Sequence, residues 1–246
     1  MTEELRESFK NDKTRLSYWF PKLRDAGLPV PKTEIVEASE AELRELYGLL
    51  DGEPLGGPGK SLIGRMREAA DRMGYPCFLR TDHTSGKHEW ESTCFIANGG
   101  SIASHAANIV NFWECANGFA PCDVWAIREF LPTMPFGACR NYGNMPICRE
   151  FRFFVDGPDV KCWHPYWPQE ALELGKPEWF GDFDYAEFCR AEDIEELRKL
   201  ASAAGRAVGG EWSVDILETR RGWHITDMAE ARKSYHWEGC RANAGK

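Results

Sequence analysis

Strand-like segments dominate the second half of this chain, and within each group they follow one another without a helix between them. Alternating apolar residues predict strands over 124–131, 148–155 and 160–165, and a last pair over 212–218 and 223–228 is joined by a short turn. Parallel strands need long crossover connections, so strands in direct succession favour antiparallel pairing. The order predicts an α+β fold with mostly antiparallel sheets and excludes a regular βαβ alternation.

Helical patterns dominate the N-terminal part of the chain and recur twice later. Apolar residues at helical spacing predict helices over 3–24, 40–50 and 61–73. Two further segments, 105–114 and 192–208, show the same spacing. The chain therefore begins with a helical region, and its remaining helices separate groups of strands.

The charge balance limits the partners of the chain. Its 246 residues carry 30 Lys and Arg against 39 Asp and Glu, a formal net charge of −9. This excess argues against non-specific binding to nucleic acid or to an anionic membrane surface. No apolar run reaches the roughly 20 residues that span a bilayer, and the charged segment 1–12 lacks the apolar core of a signal peptide. We therefore expect a cytoplasmic protein.

The cysteines do not indicate a disulfide framework. They number nine, which is odd, and no two form a Cys-x-x-Cys pair. Without a close pair, half of the tetrahedral site of a zinc ribbon is missing. Most stand next to apolar residues, as Cys77 and Cys94 do. We expect reduced and mostly buried thiols, which are typical of a reducing compartment.

The first segment that could carry chemistry is the polar turn between strands predicted over 76–80 and 91–96. Arg80 ends an apolar strand, and small hydroxyl residues, a glycine and Lys87 follow it. Backbone N–H groups and hydroxyls of such a loop can contact phosphate oxygens, and the two cations supply charge. The competing interpretation is a solvated hairpin turn. The glycines of 56–61 resemble a P-loop, but their spacing is wrong and no strand precedes them.

Charged residues interrupt the apolar strand predicted over 148–155. Strand alternation places Arg149 on one face, and Glu150 and Arg152 on the other. Charges inside an apolar strand are costly unless they are paired or bind a ligand. The pattern predicts either a site for an anionic ligand or an ion pair between Glu150 and an arginine of a neighbouring strand.

The last predicted hairpin carries carboxylates on both strands. Asp215 stands among apolar residues, and Asp227 ends the partner strand shortly before Glu230. The turn centres near residue 221, so Asp215 and Asp227 are expected opposite each other on one face. Same-face carboxylates repel unless a cation lies between them, and Mg²⁺ prefers such oxygen ligands. We predict a magnesium site here; the competing interpretation is two solvated carboxylates.

Taken in order, these segments resemble the ATP-grasp superfamily, in particular its cell division cycle protein 123 branch and small microbial and viral ATP-grasp proteins. The resemblance covers residues 60–238. It implies an ATP-grasp fold of two α+β lobes that sandwich the nucleotide, preceded by a small helical region. The implied domains are the helical region 1–59, a small lobe 60–131 with the phosphate loop, and a large lobe 132–246 with the metal acids.

The resemblance also implies the role of each candidate residue. Arg80 stands where the family has a lysine that contacts the α-phosphate. The last strand of the family usually ends in the pattern acid-x-Asn, and here Ala229 stands in the place of the asparagine. The implied nucleotide-binding residues are Arg80 and the phosphate-loop residues Ser85, Gly86 and Lys87, with Glu129, Phe130 and Leu131 as the hinge that contacts adenine. The implied catalytic residues are Lys87, Arg149 and Arg152, and the implied metal ligands are Asp215, Asp227 and Glu230.

Two functions follow from the resemblance, and a third function competes with them. The first is a ligase that uses ATP and Mg²⁺ to join an unidentified carboxylate to an amine or similar nucleophile through an acylphosphate, with peptides and proteins among the candidate substrates. The second is an ATP-binding protein-assembly factor with little or no ligase activity. The third is a nucleic-acid ligase, but Arg80 stays protonated and cannot replace the lysine nucleophile of a Lys-x-Asp-Gly motif.

Overall fold

The chain folds into two compact units, which we describe one at a time. The structure, a computed structural model, describes residues 11–117, 122–173, 184–189, 194–237 and 240. The first unit contains the chain through Ser17, Lys32–Phe130 and Tyr142–Met145, and the second contains Tyr18–Pro31, Leu131–Asn141 and Pro146–Lys246. None of the described helices is long and apolar enough to cross a lipid bilayer.

The first unit is built on a four-stranded antiparallel sheet. Its strands are β1 (Thr33–Glu37), β2 (Cys77–Thr81), β3 (Phe95–Ile96) and β4 (Val124–Glu129), in the order β1-β4-β2-β3. Its helices are α1 (Leu16–Asp25), which continues into the second unit, α2 (Glu40–Gly48), α3 (Gly57–Met73) and α4 (Ile102–Asn117).

Buried residues of the helices and of one sheet face form the core of the first unit. Leu46, Met66 and Ile109 from the helices pack with Leu79 and Ile127 from the sheet. The sheet residues alternate with those of the other face, since successive strand side chains point to opposite sides. Because the core uses one face of the sheet, the residues of β2 and β4 on the other face remain available for a functional site.

The second unit contains a four-stranded antiparallel sheet and one long helix. The strands of this sheet are β7 (Glu150–Asp156), β8 (Asp159–Pro165), β9 (Glu211–Thr219) and β10 (Gly222–Glu230), in the order β10-β9-β7-β8. Strands β5 (Gly137–Cys139) and β6 (Met145–Ile147) form a separate two-stranded sheet. The helices are α5 (Gln169–Glu173), α6 (Tyr185–Cys189) and α7 (Ile194–Val208).

The two faces of the larger sheet in the second unit differ in character. One face carries large apolar residues such as Phe153 and Val214, which are fully buried, and α7 packs against it through Ala201 and Ala204. The opposite face, which we call the polar face, carries these residues on its four strands: Glu150, Arg152, Phe154, Cys162, His164, Ser213, Asp215 and Asp227.

Most of the predicted elements are confirmed where the structure describes them, with shifts at their ends, but the first helix and the strand predicted over 91–96 are much shorter than predicted. Helix α3 begins at Gly57 rather than at residue 61, because Pro58 suits the first helical turn, where its missing N–H costs nothing. A 3₁₀ segment, Lys87–Ser92, begins in the turn expected over 81–89 and occupies the start of the strand predicted over 91–96, which is reduced to Phe95–Ile96. Of the helix predicted over 3–24, residues 3–10 lie outside the described residues, and the prediction is wrong for residues 11–15, since the helix begins at Leu16.

Candidate functional site

The polar face places two carboxylates directly opposite each other. Asp215 of β9 pairs with Asp227 of β10, and a bulge at Thr226 shifts the register just before this pair. Paired residues of antiparallel strands share a face, so the predicted geometry of the hairpin is confirmed. Asp215 is buried and Asp227 is half-buried. Their role as metal ligands stays a prediction.

A cation already lies beside Asp215. Arg152 of β7 pairs with Asp215 in register, and its Nε and Nη2 donate to the two carboxylate oxygens at 2.7 and 2.8 Å. Burial lowers the pKa of Arg152, but the Asp215 carboxylate raises it further, and the net direction is upward. Arg152 therefore compensates the charge of Asp215 from the β7 side, on the side opposite to Asp227.

Glu150 is the third carboxylate of the polar face. It shares this face with Arg152, is buried, and accepts a hydrogen bond from Thr226 Oγ1 at 3.2 Å. The Thr226 hydroxyl also approaches the Asp215 carbonyl oxygen at 3.4 Å, so the bulge connects the two acidic positions. Strand alternation grouped Glu150 with Arg152 in the sequence, but its place beside the hairpin depends on strand order.

Glu230 was expected to complete the metal site, and the structure contradicts this. Residues alternate along β10, so Glu230, paired with Trp212, lies on the face opposite to Asp227. Its carboxylate bonds Arg232 Nη2 and Lys233 Nζ, both at 3.1 Å. Burial raises the pKa of Glu230, but these two cations lower it further and keep the group charged.

Arg149 is also separated from the polar face. Its Nη1 bonds Glu218 Oε2 at 3.0 Å, and its guanidinium lies 5.5 Å from the centre of the Trp223 ring. Glu218 lies on the face of β9 opposite to Asp215, because the two positions are an odd number of residues apart. Arg149 and Arg152 therefore lie on opposite faces, as strand alternation predicted, and the catalytic role that the resemblance implies for Arg149 stays a prediction.

In the first unit, Arg80 lies on the sheet face that the core does not use. It is 4% exposed, and its Nε donates to the Thr81 carbonyl oxygen at 3.1 Å. Arg128 of β4 lies on the same face, is equally buried, and donates to Thr33 Oγ1 at 3.2 Å. Two buried guanidinium groups on one sheet face favour a bound anion. The sequence interpretation treated Arg128 only as part of the hinge.

The segment after Arg80 is held by hydrogen bonds to itself. Thr81 and Thr84 close a turn through the Thr81 N–H, which donates to the Thr84 carbonyl at 2.8 Å, and Thr93 Oγ1 donates to the Gly86 carbonyl at 2.7 Å. Gly86 has a φ of +61°, and a β-carbon there would lie 3.3 Å from Thr93 Cβ. Ser85 is buried and Lys87 is half-buried. The segment is therefore not the solvated turn of the competing interpretation.

One acidic residue of this segment has a structural role that the sequence did not reveal. Asp82 is 1% exposed and accepts hydrogen bonds from Arg15 Nε and from both the backbone and the hydroxyl of Ser17. These contacts join the start of α1 to the end of β2. Asp82 is thus committed to holding the segment in place.

The predicted hinge follows directly from β4. The Glu129 N–H donates to the Lys32 carbonyl oxygen at 2.9 Å, and Glu129 Oε1 accepts a hydrogen bond from the Lys32 N–H at 2.8 Å. Phe130 packs edge-on against Phe95, with ring centres 5.3 Å apart. Leu131, where the second unit begins, is buried. The adenine-contacting role of Glu129, Phe130 and Leu131 stays a prediction.

Comparison with known proteins rests on structure, since no family model and no curated protein matches the sequence. C-terminally truncated Cdc123 from Schizosaccharomyces pombe matches with a TM-score of 0.56 and 14% identity, covering 88% of this chain and 83% of that chain. A further Cdc123 structure from that organism matches with a TM-score of 0.50 and 14% identity, covering 100% and 96%.

An enzyme also matches. The N5-carboxyaminoimidazole synthase from Aspergillus clavatus, solved with ADP and 5-aminoimadazole ribonucleotide, gives a TM-score of 0.51 at 10% identity, covering 90% of this chain and 45% of that chain. At such identities a likeness establishes the fold alone. The chain has the α+β ATP-grasp fold and resembles Cdc123 within it.

Proposed function

We propose that this protein binds Mg-ATP and uses it to join a carboxylate to an amine or a similar nucleophile through an acylphosphate. The observation that carries the proposal is the polar face, where Glu150, Asp215 and Asp227 gather beside Arg152 in a chain with the ATP-grasp fold. Carboxylate oxygens suit Mg²⁺. Each oxygen of Asp215 keeps a further lone pair beyond its bond to Arg152, so the donor set fits the ion.

The nucleotide-binding residues belong to this proposal as well. Arg80 and Arg128 would bind phosphate oxygens, and the backbone around Ser85 and Gly86 would cover them. Lys87 would neutralise charge on the transferring phosphoryl group. The hinge of residues 129–131 would contact the adenine edge. The burial of both arginines on one sheet face supports this assignment.

The proposed reaction has two steps. A substrate carboxylate oxygen attacks the γ-phosphorus, the bond from that phosphorus to the β,γ-bridging oxygen breaks, and ADP leaves. The amine nitrogen then attacks the acyl carbon, inorganic phosphate leaves, and the amine loses a proton. A bound magnesium ion supplies charge neutralisation at the phosphates. The chain itself contributes orientation and fixed positive charge, for which no nucleophilic side chain is needed.

Calorimetric titration with ATP, with and without Mg²⁺, tests the proposal. We expect magnesium-dependent binding that Asp227→Asn removes and that Asp159→Asn, an exposed carboxylate of the same sheet, leaves unchanged.

Arg80→Ala should weaken affinity, whereas Lys87→Ala should lower turnover more than affinity, because a charge that follows the transferring phosphoryl group acts in the transition state. Absence of ATP binding by the folded wild-type chain would contradict the proposal.

A second function is favoured by the match to Cdc123, whose chain is covered to 83%. An ATP-binding protein-assembly factor of that branch would bind ATP together with a protein and form no ligated product. Product analysis separates the two functions. A ligase releases ADP and phosphate only when an acceptor is added, so mixtures of free amino acids and short peptides serve as first probes. Magnesium-dependent ATP binding without such release favours the assembly factor.

A further inference from the structure

Three half-buried cysteines stand apart from the other described cysteines. Five of the eight free cysteines that the structure describes are buried, while Cys162, Cys189 and Cys240 are partly exposed. Two of these three, Cys162 and Cys240, lie next to His236. Cys162, His236 and Cys240 form a cluster in which one ligand atom of each residue lies within 4.8 Å of the ligand atoms of the other two. Cys162 Sγ is 3.1 Å from His236 Nε2.

The cluster is formed where the chain after β10 passes over the polar face. Cys162 of β8 pairs with Phe154 of β7, and the His236 ring stacks on Phe154 with centres 4.0 Å apart. Arg152 Nη1 donates to the Tyr235 carbonyl at 3.4 Å. Tyr235 and His236 therefore contact the sheet, Tyr235 at Arg152, the partner of Asp215, and His236 at Phe154 beside Cys162.

The distances between the three ligand atoms suit a tetrahedral zinc ion. With zinc–sulfur and zinc–nitrogen bonds of about 2.3 and 2.1 Å, neighbouring ligand atoms of a tetrahedron lie about 3.5–3.8 Å apart. The separation of 3.1 Å between Cys162 Sγ and His236 Nε2 and the limit of 4.8 Å for all three separations bracket this range. Two thiolates and one imidazole are donors that zinc prefers over the hard cations Mg²⁺ and Ca²⁺.

His164 supplies a second observation beside the cluster. Its ring stacks on that of His236 with centres 5.6 Å apart, and its Nδ1 lies 2.7 Å from the Pro165 carbonyl oxygen, which fixes the proton on Nδ1. The buried Nε2 has no hydrogen-bond partner within the described chain. With the proton on Nδ1, the buried Nε2 atom carries the lone pair of the ring.

A disulfide accounts for less of this arrangement than a metal ion does. A Cys162–Cys240 bond would use the two sulfur atoms and leave the approach of His236 Nε2 to Cys162 Sγ without a reason. A metal ion uses all three donors. It also needs no Cys-x-x-Cys pair, because the sheet supplies one ligand and the distant segment supplies the other two in a His-x-x-x-Cys spacing.

We propose that Cys162, His236 and Cys240 bind one zinc ion, which fastens His236 and Cys240 to the polar face at Cys162. The fourth coordination position is left for water beside His164. The ion holds the Tyr235 carbonyl against Arg152, so the metal site supports the position of the Arg152–Asp215 pair. This site is distinct from the proposed magnesium carboxylates in both its ligands and its preferred metal.

Metal analysis of the full chain tests the proposal. The protein is purified under reductant without a metal-affinity tag, its zinc is measured by mass spectrometry, and the metal-free chain is titrated with Zn²⁺ against a chromophoric chelator. We expect one zinc per wild-type chain. Cys162→Ser and Cys240→Ser should weaken zinc binding by more than about 100-fold, the upper end of what loss of a mere supporting contact costs. Cys189→Ser, a matched half-buried cysteine outside the cluster, should bind like wild type.

Cobalt provides a readout that does not depend on the variants folding. Co²⁺ added to the metal-free wild-type chain should give thiolate-to-metal charge-transfer absorption and the intense d–d bands of a tetrahedral site. A wild-type chain that binds Zn²⁺ only as weakly as the cysteine variants and gives no such spectrum would overturn the proposal. A Cys162–Cys240 disulfide found in protein purified under reductant would overturn it as well.

Discussion

Arg152 and Asp215 compensate each other's charge in a largely buried position, with side chains 15% and 5% exposed. Removing one partner leaves the other charge buried and unpaired, which typically costs about 3–5 kcal/mol. We expect Arg152→Met and Asp215→Asn each to lower the free energy of unfolding substantially. The double variant should lose less than the sum of the two, and urea unfolding of all four proteins measures the coupling. Additive losses would show that the pair contributes no coupling of its own.

The two aspartates of the hairpin should respond with opposite signs. Replacement of Asp227 by Asn removes a like-charge contact with Asp215, and such cross-strand contacts are worth roughly 0.2–1 kcal/mol. Asp227→Asn should therefore raise the unfolding temperature of the ligand-free protein slightly, whereas Asp215→Asn should lower it. The sequence alone predicts an increase for both, because it does not reveal Arg152. A decrease for Asp227→Asn would mean that its contact with the Met228 N–H outweighs the repulsion.

At the scale of elements, the packing of α7 on the sheet depends on one glycine. A β-carbon at Gly205 would lie 2.0 Å from the Gly157 carbonyl oxygen and 2.8 Å from Val155 Cγ2. Neither the backbone nor the buried Val155 can move without shifting the helix, and overpacking of this kind costs about 1–3 kcal/mol or more. We expect Gly205→Ala to destabilise the protein by at least that amount in chemical denaturation.

A matched glycine tests whether the packing, rather than the helix, is responsible. Gly64 lies within α3, and a β-carbon there would meet nothing within 4 Å. Alanine has the higher helix propensity by roughly 1 kcal/mol. Gly64→Ala should therefore stabilise the protein, and equal losses at both positions would argue against the close approach of α7 to the β7–β8 turn.

At the scale of the whole molecule, buried ionisable groups make stability fall towards acid pH. Burial lowers the pKa of His105 below its usual 6.5, so the unfolded chain takes up this proton first and stability declines as the pH falls below about 6.5. Burial raises the pKa of Glu42, but its bonds to Ser39 and Arg65 lower it further, to a net value below 4.5. This second contribution is present above pH 4.5 and is lost as the pH falls through the lowered value.

Unfolding by urea between neutral and acid pH measures both contributions. His105→Gln should flatten the decline that begins near pH 6.5, since the neutral amide cannot take up the proton. Glu42→Gln should reduce stability at neutral pH and flatten the lower part of the curve. Unchanged pH profiles in both variants would contradict the assignment of these groups.

Local rules account for what the sequence predicted correctly. The turn pairs Thr219 with Gly222, and the bulge at Thr226 then brings Asp227 opposite Asp215; both features lie within one hairpin. Direct succession of strands gave the antiparallel α+β fold for a similar reason, because a tight connection allows only antiparallel pairing. The order of the motifs then gave the resemblance to ATP-grasp proteins, which the structural matches confirm at the level of the fold.

The sequence by itself therefore determined most of the elements, their antiparallel pairing and the faces of the β7 residues, whereas it placed Glu230 on the wrong face of β10. Only the tertiary structure decided which strands are neighbours: β9 lies between β7 and β10, and this brings Arg152 to Asp215 across 63 residues of sequence. It likewise brought Cys162 to His236 and Cys240. The physical reason is that periodicity reports how a segment meets its surroundings, whereas strand order depends on the burial gained by the whole chain, which no local pattern records.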